Sequence, residues 1–90
     1  MTWRIDFSVD AIKFIKKNNL EEILIIDKIK LAVRKFRGED ININIKKLSS
    51  SWDGFYRIRS GKLRIVVEFQ FENFRAQVEV IDWRGSAYKY

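Results

Sequence analysis

The stretch from Phe55 to Trp83, FYRIRSGKLRIVVEFQFENFRAQVEVIDW, decides the fold. It holds three runs in which β-branched or aromatic residues recur among polar ones: Phe55 to Arg59, Lys62 to Phe71 and Arg75 to Trp83. Alternation of this kind is the pattern of strands that bury one face. Ser60-Gly61 and Asn73-Phe74 punctuate the runs as turns, so the reading is an antiparallel meander. Upstream, residues 38 to 51 mix Asn, Lys and Ser and read as a linking loop that carries Lys46, Lys47 and Leu48. Before the loop, Ile25, Ile29, Ala32, Val33 and Phe36 form one stripe of a helix running from about Leu20 to a stop at Gly38. Glu21 and Glu22 near its start, and Arg34, Lys35 and Arg37 near its end, suit the helix dipole. A shorter helix precedes it, with Ser8 as N-cap and a C-terminus at Asn18-Asn19. Trp3, Ile5 and Phe7 alternate as a first strand that joins the sheet. The prediction is therefore α+β: a twisted antiparallel sheet of about four strands, ordered β-α-α-β-β-β in sequence, packed on one face by two N-terminal helices.

Residues 1 to 90 form a single domain on this reading, because a chain of 90 residues has room for one core and no second lobe. With 47% of its residues apolar, the core is well supplied. The absence of Cys and His excludes disulfides, the usual zinc sites and every mechanism built on a Ser-His or Cys-His pair, so neither metal nor cofactor is expected. Chemistry falls to Lys, Arg, Tyr, Asp and Glu. Eighteen Lys and Arg against twelve Asp and Glu give a net charge of +6, a field that favours polyanions such as nucleic acid or an acidic protein. A basic domain that is merely soluble is the competing account. The start alternates polar and apolar residues, and no later run approaches the roughly 18 apolar residues of a membrane helix, so a cytoplasmic protein is expected.

The first hairpin sorts its charges. With Ser60 and Gly61 as the two turn residues, Arg59 faces Lys62 and Arg57 faces Arg64, all on one face of the sheet. Tyr56, Ile58, Leu63 and Ile65 then point to the helices. Like charges opposed across a ladder cost up to about 1 kcal/mol, which an anionic ligand would relieve; long side chains splayed into water are the alternative. Carried through the second turn, the same count pairs Glu72 with Arg75, Glu68 with Glu79 and Arg64 with Trp83. An aromatic ring would then adjoin the cations, an arrangement suited to single-stranded RNA, although core is the commoner place for a lone Trp.

The segment KKLSSSWDGFYRIRSGKLRIVVE, residues 46 to 68, resembles the signature of the RelE/ParE toxin superfamily, in which Lys-Leu leads into Tyr-Arg-x-Arg, one residue, Gly, two residues and Arg-Ile. VIDWRGSAYKY, residues 80 to 90, is similar to that superfamily's closing strand and tail, with an Arg and, four residues on, a Tyr: here Arg84 and Tyr88. The opening IDFSVDAIKFIKK also resembles its first strand and helix, so the likeness runs through nearly the whole chain.

The resemblance implies the toxin of a type II toxin-antitoxin pair, neutralised by a cognate antitoxin, with a toxin-antitoxin heterotetramer as the expected assembly. It further implies a ribosome-dependent mRNA endonuclease that uses the ribose 2′-hydroxyl as nucleophile. By matching position, Arg64 and Arg84 would grip the scissile phosphate, a task suited to guanidinium forks. Arg57 and Arg59 match Tyr-Arg-x-Arg and, with Lys46, Lys62 and Trp83, are expected to bind RNA. Arg57 and Arg59 stand where such enzymes often carry Lys, and Trp83 stands where many carry His. The base and acid therefore fall to Lys47, Lys46 and Tyr88, a lysine among cations being a group whose pKa can fall. Two other readings stay open: a ParE-like inhibitor of DNA gyrase without catalytic residues, and a non-toxic relative whose basic face only grips an antitoxin.

Overall fold

Ser8 links the two layers of the protein. Its hydroxyl caps the first helix by accepting from the Ala11 amide at 3.0 Å, and donates to the Glu79 carbonyl of the last strand at 2.6 Å. A computed structural model describes residues 2–83 of the chain. In it β1 spans Arg4–Phe7, α1 Val9–Lys17, α2 Glu22–Phe36, β2 Asn44–Lys47, β3 Phe55–Ser60, β4 Leu63–Gln70 and β5 Arg75–Trp83, with one 3-10 turn at Ser50–Trp52. The strands form one sheet in the order β1-β5-β4-β3-β2. Only β1, which runs parallel to β5, departs from antiparallel pairing among the described residues.

The α+β class and the helical pair match the sequence reading, while the sheet has five strands where about four were expected. The additional strand, β2, lies in the segment read as a loop. Ile41, Ile43 and Ile45 do alternate there, but their polar neighbours are Asn and Lys, which strands tend to avoid. At a sheet edge those residues are apt, since Lys discourages pairing with a further chain.

The main core lies between the helices and one face of the sheet. Ile25 and Ile29 of α2 and Ala11 of α1 meet Ile58, Ile65, Val67, Ala76 and Val78, all of them fully buried. Burying each Ile or Val side chain contributes roughly 1.5–3 kcal/mol. A second, smaller cluster sits on the other face: Leu48, Val66 and Val80, with Trp52 and Phe55 packed against them.

Three details of register differ from the sequence reading. The first turn consists of Gly61 and Lys62, so Ser60 pairs with Leu63, Arg59 with Arg64 and Arg57 with Val66. Gly61 has φ +61°, whereas Lys62 is not among the positive-φ residues, the pattern of a II′ turn with Gly in its first central position. Lys62 is thus a turn residue and does not face Arg59. The second turn spans residues 71 to 74, so Gln70 pairs with Arg75 and Glu68 with Gln77. Further along, the register jumps: Val66 pairs with Val80 but Val67 with Val78. Glu79 is the extra residue of this bulge, and the expected Glu68-Glu79 pair does not form.

The bulge explains the second role of Ser8. Glu79 has left the regular ladder at its carbonyl's position, and the Ser8 hydroxyl meets that carbonyl while the Ser8 amide donates to the Val78 carbonyl at 2.8 Å. Ser8→Ala removes a helix cap and leaves a half-buried carbonyl without its donor. A loss of about 1–3 kcal/mol is expected in urea denaturation, with the m-value unchanged.

Candidate nucleic-acid interface

Alternation along the strands gives the sheet a face turned away from the helices, and most of the cations singled out in sequence lie there. Ile58 and Ile65 point into the main core, so their neighbours Arg57, Arg59 and Arg64 point the other way. Ile45 likewise packs on the core side, which places Lys46 beside Arg57, its partner in the ladder. Two rows result across the sheet. One runs Asn44, Arg59, Arg64, Asp82, and the next runs Lys46, Arg57, Val66, Val80.

The directly opposed pair, Arg59 and Arg64, is the electrostatic centre of this face. Both side chains are half-buried, and the Nε atoms of both are buried without a hydrogen-bond partner among the described residues. A buried donor left without a partner costs about 1–3 kcal/mol, more when charged. A comparison lies at the other end of the same face. Arg4 and Arg75 are also opposed across a ladder, but Asp6 stands between them, 3.1 Å from the Nε of Arg4 and 2.9 Å from that of Arg75. One arginine pair is bridged by a carboxylate, whereas the Nε atoms of the other have no hydrogen-bond partner among the described residues, an arrangement that suits a phosphate. Asp82, buried, stands opposite Arg64 in the position expected for Trp83.

The remaining sequence candidates lie elsewhere. Trp83 pairs with Leu63, and its ring lies 5.5 Å from that of Phe14 while its indole N–H donates to the Asn18 side chain at 3.1 Å. It therefore belongs to the helix side of the sheet, because the bulge at Glu79 shifts the register by one residue and exchanges the faces beyond it. Lys47 pairs with Tyr56, whose ring packs on Phe36 of α2, so alternation turns Lys47 away from the arginines. Arg84 and Tyr88 lie outside the described residues.

Sequence reasoning passed over Trp52 and Phe55. They pack on Leu48, Val66 and Val80, and Val66 is the ladder partner of Arg57, so an aromatic pair does adjoin the cationic rows. The available signal was their place in the segment entering β3, but nothing local reveals that the chain folds back over the sheet there. An apolar cavity of about 330 Å3 lies apart from these rows, lined by Trp3, Ile5, Ile29 and Val33 with Lys30, Arg34 and Arg37. None of the proposed RNA-contacting residues lines it.

No protein-family model matches the chain, and no curated protein matches it in sequence. Solved structures do resemble it. A chain of the heterotetrameric YoeB-YefM toxin-antitoxin complex from Staphylococcus aureus superposes with a TM-score of 0.61 at 20% identity, over 93% of this chain and 99% of that one. A chain of the RelBE2 toxin-antitoxin complex from Mycobacterium tuberculosis gives 0.60 at 18% identity, over 93% and 100%. A chain of the archaeal RelE-RelB complex from Pyrococcus horikoshii gives 0.59 at 20% identity, over 97% and 100%. The protein has the fold of the RelE-like toxins, as its sequence led one to expect.

Proposed function

We propose that this protein is the toxin of a type II toxin-antitoxin pair and that it cuts mRNA on the ribosome until a cognate antitoxin covers it. The observation that carries the reading is the Arg59-Arg64 pair, two guanidinium groups whose buried Nε atoms have no hydrogen-bond partner among the described residues, on the sheet face turned away from the helices and beside Arg57 and Lys46. Such a site holds a phosphate before reaction and is best filled as charge builds on it. The ribose 2′-oxygen would attack the adjacent phosphorus, and the bond from phosphorus to the 5′-oxygen would break. Arg64, with Arg84 from the tail, would hold the phosphoryl oxygens. Lys46 replaces Lys47 as the proposed lysine for proton transfer, since it shares the face of the arginines. Tyr88 keeps the second proton-transfer role that the resemblance implies.

The antitoxin is the proposed protein partner, an acidic segment of which would cover the cationic rows. A heterotetramer is proposed by likeness to the Staphylococcus aureus complex. Inhibition of DNA gyrase is the second reading. It is favoured by one observation: positions 57 and 59 carry arginine, a residue type ill suited to general-base work.

Relief of like-charge crowding gives a first test. Arg59→Met should leave the free protein as stable or up to about 1 kcal/mol more stable, because it removes a repelling charge and an unmet donor. The same variant should lose most of the stabilisation that polyphosphate confers on the parent, as read by thermal melts with and without the anion. Equal stabilisation of both would remove Arg59 from the anion site.

A second test uses programmed ribosomes and primer extension, with ribosome-free RNA and gyrase supercoiling as controls. Cuts at A-site codons that need the ribosome are expected, and Arg64→Ala or Arg84→Ala should abolish them while the variants stay folded. Intact mRNA with blocked supercoiling would establish the gyrase reading, and silence in both assays would leave a non-toxic binding protein.

A further inference from the structure

The two edges of the sheet are unlike. One is β2, whose Lys46 and Lys47 are cations of the kind that keep a further strand away. The other is β1, which has no lysine and, with the residue before it, reads Trp3-Arg4-Ile5-Asp6-Phe7. Only half of its backbone is used. The amides of Arg4 and Ser8 donate to the carbonyls of Phe74 and Val78 in β5. Alternation therefore turns the N–H and C=O groups of Ile5 and Phe7 to the side on which no strand lies among the described residues. The space between this edge and α2 is unfilled as well: it is the apolar cavity of about 330 Å3, walled by Trp3 and Ile5 on one side and by Ile29 and Val33 on the other.

The five residues are self-complementary. Trp3, Ile5 and Phe7 pack on the core side, whereas Arg4 and Asp6 share the opposite face with Arg75. Consider a second copy laid antiparallel along β1, with the two-fold axis at Ile5. Ile5 then faces the partner's Ile5, Trp3 faces the partner's Phe7 and Arg4 faces the partner's Asp6. The outward amides of each copy meet the outward carbonyls of the other, as an antiparallel ladder requires. Asp6 is already oriented by Arg75 at 2.9 Å, so the incoming arginine meets a fixed carboxylate. Sliding the pairing by one residue sets apolar side chains against the polar face. Sliding it by two keeps the faces but sets Arg4 against Arg4, or Asp6 against Asp6, like charges directly opposed. One register alone satisfies hydrogen bonds, faces and charges together.

We propose that two copies of this chain pair through β1, joining their five-stranded sheets into one of ten strands. The contact uses the same residues on both copies and closes at two. The cationic rows lie on β2 to β4, so the pairing is independent of the nucleic-acid reading and leaves that face open. An edge this short buries less than the roughly 1,600 Å2 of a standard interface, and association in the micromolar range is expected. Lys30 and Arg37 of α2 stand beside the same edge and oppose close approach, which salt of about 150 mM screens beyond roughly 8 Å.

Sedimentation equilibrium of the purified chain at that salt, from about 1 to 500 µM, tests the pairing, and a shift from one copy to two is expected across the range. Arg4→Glu, at a side chain 76% exposed, sets Glu against Asp6 twice and should weaken association at least about tenfold. Asp6→Lys, which sets Lys against Arg4, should do the same. Mixed in equal amounts, the two variants regain opposite charges at both positions and should form a heterodimer as tight as the parent's homodimer. Far-UV circular dichroism checks that each variant is folded, and if Asp6→Lys is not, Arg4→Glu decides the matter. An Arg4→Glu variant that associates like the parent, or a mixture of folded variants that stays monomeric, overturns the proposal. A parent that stays monomeric throughout overturns it too and leaves the β1 edge to a strand of a different protein.

Discussion

The turn at Gly61 and Lys62 is the constraint on which the rest of the structure depends. A strand has two faces, and moving its pairing by one residue exchanges them. With Ser60 opposite Leu63, Ile58 meets Ile65 inside the core and Arg59 meets Arg64 outside it. The hydrophobic and the electrostatic halves of the design are therefore set by a single local event. Gly supplies the positive φ at 61, and the twist of the strands selects a turn of that hand. Burial on one side then fixes the register against slippage, and the arginines are carried along by it.

This explains why the sequence revealed the layers better than the distances within them. The stripes of α2 and the alternation of β3 to β5 are properties of many residues, so an error at one position does not change the class. Register is the property of one turn. Reading Ser60-Gly61 in place of Gly61-Lys62 kept Arg57, Arg59 and Arg64 on their common face but mispaired them, and the count through the second turn that set Trp83 against Arg64 is upset by the bulge at Glu79. The edge strand Asn44–Lys47 escaped notice because its polar residues are those of a loop. Which of two adjacent lysines shares the arginines' face is an alternation question that has no answer until that strand is recognised. The apolar second cluster was the least legible part, since it depends on a fold-back governed by Ser50 and Gly54.

The open face uses two arginine pairs in contrasting ways. Where Asp6 sits between Arg4 and Arg75, the charges are matched within the protein and tie β1 to β5. Exposed pairs of this kind contribute little energy each, but they fix which edges meet. Where Arg59 meets Arg64, the mismatch is retained, and the sheet beneath supplies rigidity that keeps the two forks from drifting apart. Tolerating that repulsion is feasible because both residues stand over fully buried neighbours, Ile58 and Ile65, whose packing resists local opening.

The parallel pairing of β1 with β5 joins parts of the chain that are far apart in sequence, as the 71-residue separation between Ser8 and Glu79 records. Contacts of such span carry the full cost of closing a long loop and form late in folding. A nascent chain that lacks β5 has no partner for its first strand, no carbonyl for Ser8 and no second side for β4. The cations themselves lie on β2 to β4, but the sheet that supports them is closed on its other side only when residues 75–83 are present to pair with both β4 and β1.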